Sequence, residues 1–116
     1  WVCVPHMADQ DYATQLAKLM KDQLSPKHKV LVEYSNEVWN SGFPQFHWNL
    51  AQAKQEVAEN PHSPLAYDNS TNPYYWADRR VAKRLREITI AMRAVLPFDT
   101  VYPVLAGQMG AATTGQ

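Results

Sequence analysis

KVLVEYSNEVWN, Lys29 to Asn40, is the stretch that decides the fold. It opens with Val30, Leu31, Val32 and Tyr34, the aliphatic, β-branched and aromatic side chains of a strand covered on both faces. Glu33 interrupts that apolar run. Glu37 falls where the run gives way to Trp39, Asn40, Ser41 and Gly42. Side chains of one parity share a face of a strand, so a strand that stays regular points Leu31, Glu33, Ser35 and Glu37 the same way. A buried carboxylate is costly unless paired. A carboxylate at the C-terminal end of a parallel strand lies where α/β folds place their chemistry.

Outward from this strand, helices and strands alternate. Trp1 to Val4 reads as a short strand closed by Pro5, and His6 to Asp9 as the turn after it. Asp9 or Gln10 precedes a helical pattern, with Asp a favoured N-cap. Tyr12, Leu16, Leu19, Met20 and Leu24 recur at helical spacing as its apolar face, thinned by Ala13 and Ala17. Ser25-Pro26 stops it. Beyond the central strand, Phe43-Pro44 starts a second helix reaching about Glu59. Residues 60–73 carry Pro61, Pro64 and Pro73 and read as a loop without regular elements. A third helix runs from about Tyr74 to Val95, with Val81, Leu85, Ile88, Met92 and Val95 as its stripe. Val101 to Ala106 is a third strand, Gln108 ends it at the same edge, and Met109 to Gln116 reads as a loop tip. The order β-α-β-αα-β predicts a parallel α/β sheet with a right-handed first crossover.

Composition narrows the function. The chain has 116 residues, 46% of them hydrophobic, which suits one small domain with no internal boundary. Formal net charge is zero, so nothing suggests electrostatic capture of nucleic acid or of an anionic membrane. The single cysteine, Cys3, excludes an internal disulfide and leaves secretion or a periplasmic location open. It reads as a small buried apolar residue. No Cys/His spacing suits zinc, and no cofactor is expected. No apolar run is long enough to span a bilayer. The chain opens on the strand pattern WVCVP rather than on Met and reads as part of a longer protein. Three strands with their crossovers on one side leave the other sheet face uncovered.

Glu33-Tyr34-Ser35-Asn36-Glu37 resembles the fourth-strand signature of glycoside hydrolase clan A, the retaining glycosidases built on a (β/α)8 barrel. The longer string EYSNEVWN is similar to that of a group of bacterial proteins related to the clan, as is the helical stretch Ala82-Lys83-Arg84 to Glu87-Ile88, read as an outer barrel helix with solvated charges. The resemblance implies a partial TIM barrel covering about strands three to five, a carbohydrate substrate, and the remainder of the barrel as partner. It implies Glu37 as general acid/base and Asn36 as the residue that binds the sugar hydroxyl beside the reacting carbon.

Each candidate has a plainer alternative. Glu37 is otherwise a solvated glutamate in a β-α turn, and Asn36 a turn or helix cap. Glu33 is expected to be structural, paired with a basic residue of the barrel interior, inside this chain or beyond it. His6 is either a histidine beside the sugar or a turn residue satisfied by backbone. Trp39 is either a platform for a pyranose ring or a packing residue that pins the loop. Tyr67 is a candidate to overhang the same groove, and Gln108 to touch substrate. Asp9 and Asp11 read as helix-start residues. Retaining hydrolysis needs two carboxylates about 5–5.5 Å apart. In the resembled clan the second ends strand seven, beyond this sequence, and Glu56, Glu59 and Glu87 fall on helices. Two functions remain open: part of a retaining glycoside hydrolase, or a non-catalytic carbohydrate-binding or structural α/β module that keeps the motif.

Overall fold

The computed structural model describes residues 1–107. Gln108 and the loop expected from Met109 onward lie outside the described residues. The elements are β1 (Val2–Val4), α1 (Gln10–Gln23), β2 (Val30–Tyr34), α2 (Pro44–Glu59), α3 (Pro73–Arg93) and β3 (Val101–Val104), with short 3-10 turns at Pro64–Ala66 and Phe98–Thr100. The three strands form one parallel sheet in the order β1-β2-β3. The α/β class and parallel sheet expected from the sequence are therefore present. The expectation that residues 60–73 hold no regular element fails at Pro64–Ala66. There Ser63 Oγ accepts a hydrogen bond from the Leu65 backbone N–H at 3.1 Å, and Pro64 supplies a preset φ.

The chain gathers into two compact units. The first comprises Trp1–Asn36 and Arg84–Leu105, and the second is built mainly of Glu37–Lys83. In the first unit the strand register sorts side chains into two faces. Val2 pairs with Val32, Val4 with Tyr34, and Val30 with Val101. Val4, Val30, Val32, Tyr34 and Val101 are buried on that face. Its cover comes from α1 and the later half of α3: Arg84 donates to the Ala8 carbonyl at 2.9 Å and lies over the Tyr34 ring. The opposite face carries Cys3, Leu31, Glu33, Tyr102 and Val104 and is left open; Tyr102 is 46% exposed. β3 is an edge strand, which accommodates Pro103, a residue with no N–H to give a further neighbour.

Helix α1 starts as its sequence dictates: Asp9 Oδ1 accepts the Tyr12 backbone N–H at 2.8 Å. Its buried face differs from the expected one. Ala13 and Ala17 are fully buried, whereas Tyr12, Leu19 and Leu24 are among the exposed large hydrophobics. Two alanines one turn apart permit a close approach that leucines would block, so the small residues set the phase and the larger ones flank it. Helix α3 buries Leu85, Ile88 and Met92, as its periodicity predicts.

In the second unit α2 and the early part of α3 run side by side in the same direction. Asn49 Nδ2 donates to the Ala77 carbonyl at 2.8 Å, and Lys83 pairs with Glu56 at 2.8 Å. The rings of Phe46 and Tyr74 stack with centroids 6.4 Å apart. A small core of Ala53, Leu65 and Ala77 lies between them, flanked by Leu50, Val57 and Trp76. The connection from Asn60 to Asn72 returns along the helices. It is held where Ser63 Oγ donates to Glu56, Trp76 Nε1 donates to the Ser70 carbonyl, and Arg79 grips Asp68 and the Leu65 carbonyl.

Candidate active site at the end of the central strand

β2 stops at Tyr34, and the backbone then turns through two left-handed residues, Ser35 at φ 63° and Glu37 at φ 47°. Neither is glycine, and such conformations are costly for side chains other than glycine or asparagine. The Ser35 N–H still donates to the Val4 carbonyl at 2.7 Å, a last rung between β1 and β2. The alternation that would have aligned Glu37 with Leu31 and Glu33 is broken at Ser35. Glu37 therefore owes its direction to the turn, and the expectation of one continuous face ending in Glu37 is corrected.

That turn is organised by Asn40. Its Nδ2 donates to Glu37 Oε2 at 3.0 Å, its backbone N–H to the Glu37 carbonyl at 2.9 Å, and its Oδ1 accepts the Gly42 N–H at 3.0 Å. Gly42 fits because an added Cβ would stand 3.2 Å from Asn40 Oδ1. His47 Nε2 lies 3.0 Å from the Ser41 carbonyl, fastening the turn to the first turns of α2. Glu37 and Trp39 are half-buried and Asn36 is exposed. The register carries β1 and β2 to the same edge, Val4 opposite Tyr34, so His6 and Asn36 follow adjacent strand ends. The His6 backbone carbonyl accepts the Tyr34 hydroxyl at 3.0 Å.

Glu33 is buried on the open face, and its Oε2 accepts the Trp1 indole N–H at 3.1 Å and lies 3.7 Å from Cys3 Sγ. Among the described residues no lysine or arginine makes a salt bridge with it. Within the described residues its partners are two neutral donors, the Trp1 indole and the Cys3 thiol. Cys3 is exposed, not buried as its type suggested. Partial desolvation, aided by the Glu33 charge and hydrogen bond, pushes its thiol pKa up, which makes it a poor nucleophile at neutral pH. Tyr67 is 75% exposed and carries the Arg79 guanidinium 4.4 Å from its ring centre.

Arg84 is the residue sequence reasoning missed. The helical pattern places it among solvated charges, yet it bonds the Ala8 carbonyl, pairs with Glu87 and lies over Tyr34. Its one signal is its place one residue before Leu85, at the margin of the apolar stripe. Among the described residues no group of three or more His, Cys, Asp or Glu side chains is arranged to hold a metal ion. No helix among them is long and apolar enough to cross a membrane. Set against protein-family models, curated proteins and solved structures, the chain matches none.

Proposed function

We propose that this chain forms about strands three to five of a (β/α)8 barrel resembling glycoside hydrolase clan A, and that Glu37 is the general acid/base of a retaining glycosidase. The observation that carries this reading is the setting of Asn36-Glu37. The pair follows the central strand of a parallel sheet at its C-terminal edge, with left-handed backbone at Ser35 and Glu37. Barrel enzymes put their reacting groups at that edge, and strained backbone clusters at such sites. The open sheet face, carrying buried Glu33, suits a barrel interior covered by further strands.

In this reading Glu37 protonates the glycosidic oxygen while a carboxylate from another strand attacks the anomeric carbon. Glu37 then takes a proton from the water that cleaves the glycosyl-enzyme bond. Asn36 binds the sugar hydroxyl next to the reacting carbon, His6 borders the sugar, and Trp39 offers a ring face to it. The Asn40 hydrogen bond fixes one carboxyl oxygen of Glu37. That bond also favours the second reading, a carbohydrate-binding or structural module in which Glu37 only shapes the turn.

The two readings separate on leaving-group dependence, measured in the protein that carries the complete barrel. Glu37→Gln keeps the shape and removes the transferable proton. It should cost turnover of unactivated glycosides far more than that of activated aryl glycosides, whose leaving groups need little protonation. Glu33→Gln should lower stability and leave that ratio alone. Equal turnover of both substrates by folded Glu37→Gln and wild type would leave the module reading.

A further inference from the structure

The first unit contains a pocket of about 290 Å³ at the N-terminal edge of the sheet, the edge opposite the one at which Asn36 follows β2. Its wall is apolar: Met20 and Leu24 from the end of α1, Pro26, Val30 at the start of β2, and Leu96 and Pro97 after α3. That size is at the lower limit of the roughly 300–1,000 Å³ typical of small-molecule sites, so the ligand must be small.

The polar part of the lining has a definite chemistry. The Thr100 hydroxyl donates to the Pro97 carbonyl at 2.7 Å, and Ser25 Oγ accepts the Lys27 N–H, so both hydroxyl side chains already have partners within the chain. The helix ends are closed as well, Leu24 N–H donating to the Met20 carbonyl and Leu96 N–H to the Met92 carbonyl. Two nitrogen donors also line the pocket, Lys21 and His28, and neither makes a salt bridge among the described residues. Nearby Lys29 is engaged with Asp99 and its carbonyl. An apolar wall that includes a lysine with no carboxylate partner among the described residues complements a molecule with an apolar body and one negative end.

We propose that this pocket binds a small amphiphilic carboxylate, its hydrocarbon chain against Leu24, Val30 and Leu96 and its carboxylate at Lys21 and His28. This site is independent of the Glu37 chemistry. Lys21 supplies the charge and His28 a ring N–H.

The probes are octanoate, octanol and octylammonium, titrated into the full-length protein that contains this chain while the methyl resonances of Met20, Leu24 and Leu96 are followed by NMR. Octanoate should saturate one site with shifts confined to those methyls, and octylammonium should bind at least about tenfold more weakly. Leu24→Trp fills the pocket from a position that is 44% exposed, so it should abolish binding with the fold retained. Lys21→Glu, at an exposed position, should reverse the preference between anion and cation. Four results overturn the proposal: no saturation by octanoate, octanol binding as tightly as octanoate, shifts spread over the open sheet face, or an unchanged preference in Lys21→Glu.

Discussion

The indole N–H of Trp1, the residue before β1, donates to Glu33 Oε2 at 3.1 Å, so a neutral donor holds the carboxylate on the open sheet face. Cys3 is drawn into the same contact, its Sγ 3.7 Å from that oxygen. Partial desolvation and the adjacent negative charge both disfavour the thiolate. Alkylation of Cys3 by iodoacetamide should therefore rise with pH later than for an ordinary thiol. In Glu33→Gln the midpoint should move down in pH, since the negative charge beside the thiol is gone. Identical pH profiles for the two proteins would show that Glu33 does not govern the thiol.

The open face has a second consequence. Tyr102 is 46% exposed there and Leu31 half-buried, so the chain on its own should self-associate through this surface. Sedimentation should show mass rising with concentration, and Leu31→Lys should return the chain to monomer. Monomeric behaviour at all concentrations would mean that the face is not sticky enough to need cover.

Helix α1 makes a tighter claim. Ala17 is fully buried on the face that sets how closely the helix approaches its neighbours. Ala17→Leu should destabilise the chain by about 1–3 kcal/mol through overpacking. Leu19→Ala, at a position 58% exposed, should cost much less. Denaturant midpoints of the two variants give the comparison, and the reverse ranking would restore the leucine face as the buried one.

These contrasts mark how far the sequence was legible. Element order, the Asp9 cap and the buried stripe of α3 follow from local chemistry: a carboxylate that reaches a free N–H, and apolar residues at helical period. The phase of α1 was hidden because Ala13 and Ala17 carry little hydrophobic weight, yet their smallness is what a close approach needs. Ser35 and Glu37 hid their left-handed backbone because neither is glycine and the parity of the strand runs through them unbroken. Two contacts, those of Arg84 and Glu33, are not legible in the sequence for one reason. The Ala8 carbonyl that Arg84 bonds and the Trp1 indole that bonds Glu33 are distant in sequence and carry no charge, so no local pattern announces either contact.

The return loop of the second unit depends on one clamp. Arg79 meets Asp68 with two nitrogens, Nη1 at 2.8 Å and Nη2 at 2.5 Å, and also donates to the Leu65 carbonyl. The hydrogen bond from Arg79 is the main reason the Asp68 pKa falls from 3.8 to about 2. A lowered folded-state pKa means the stabilisation is complete above the unfolded value and is lost as pH falls from about 3.8 towards 2. Proteolysis within residues 60–72 should therefore accelerate in Asp68→Asn at neutral pH. Arg79→Lys should resemble it, because lysine keeps the charge and loses the fork. Unchanged cleavage in both variants would show that the clamp does not hold the loop.

The most direct test of the Glu37 assignment is chemical rescue in the protein that carries the complete barrel. Glu37→Ala removes the base that activates water in the second step and leaves space for a small anion. With an activated aryl glycoside, added azide should restore turnover and yield a glycosyl azide of retained anomeric configuration, since azide needs no general base. Turnover by Glu37→Ala that matches wild type, or a folded variant that azide neither accelerates nor converts to a glycosyl azide, would contradict the acid/base role.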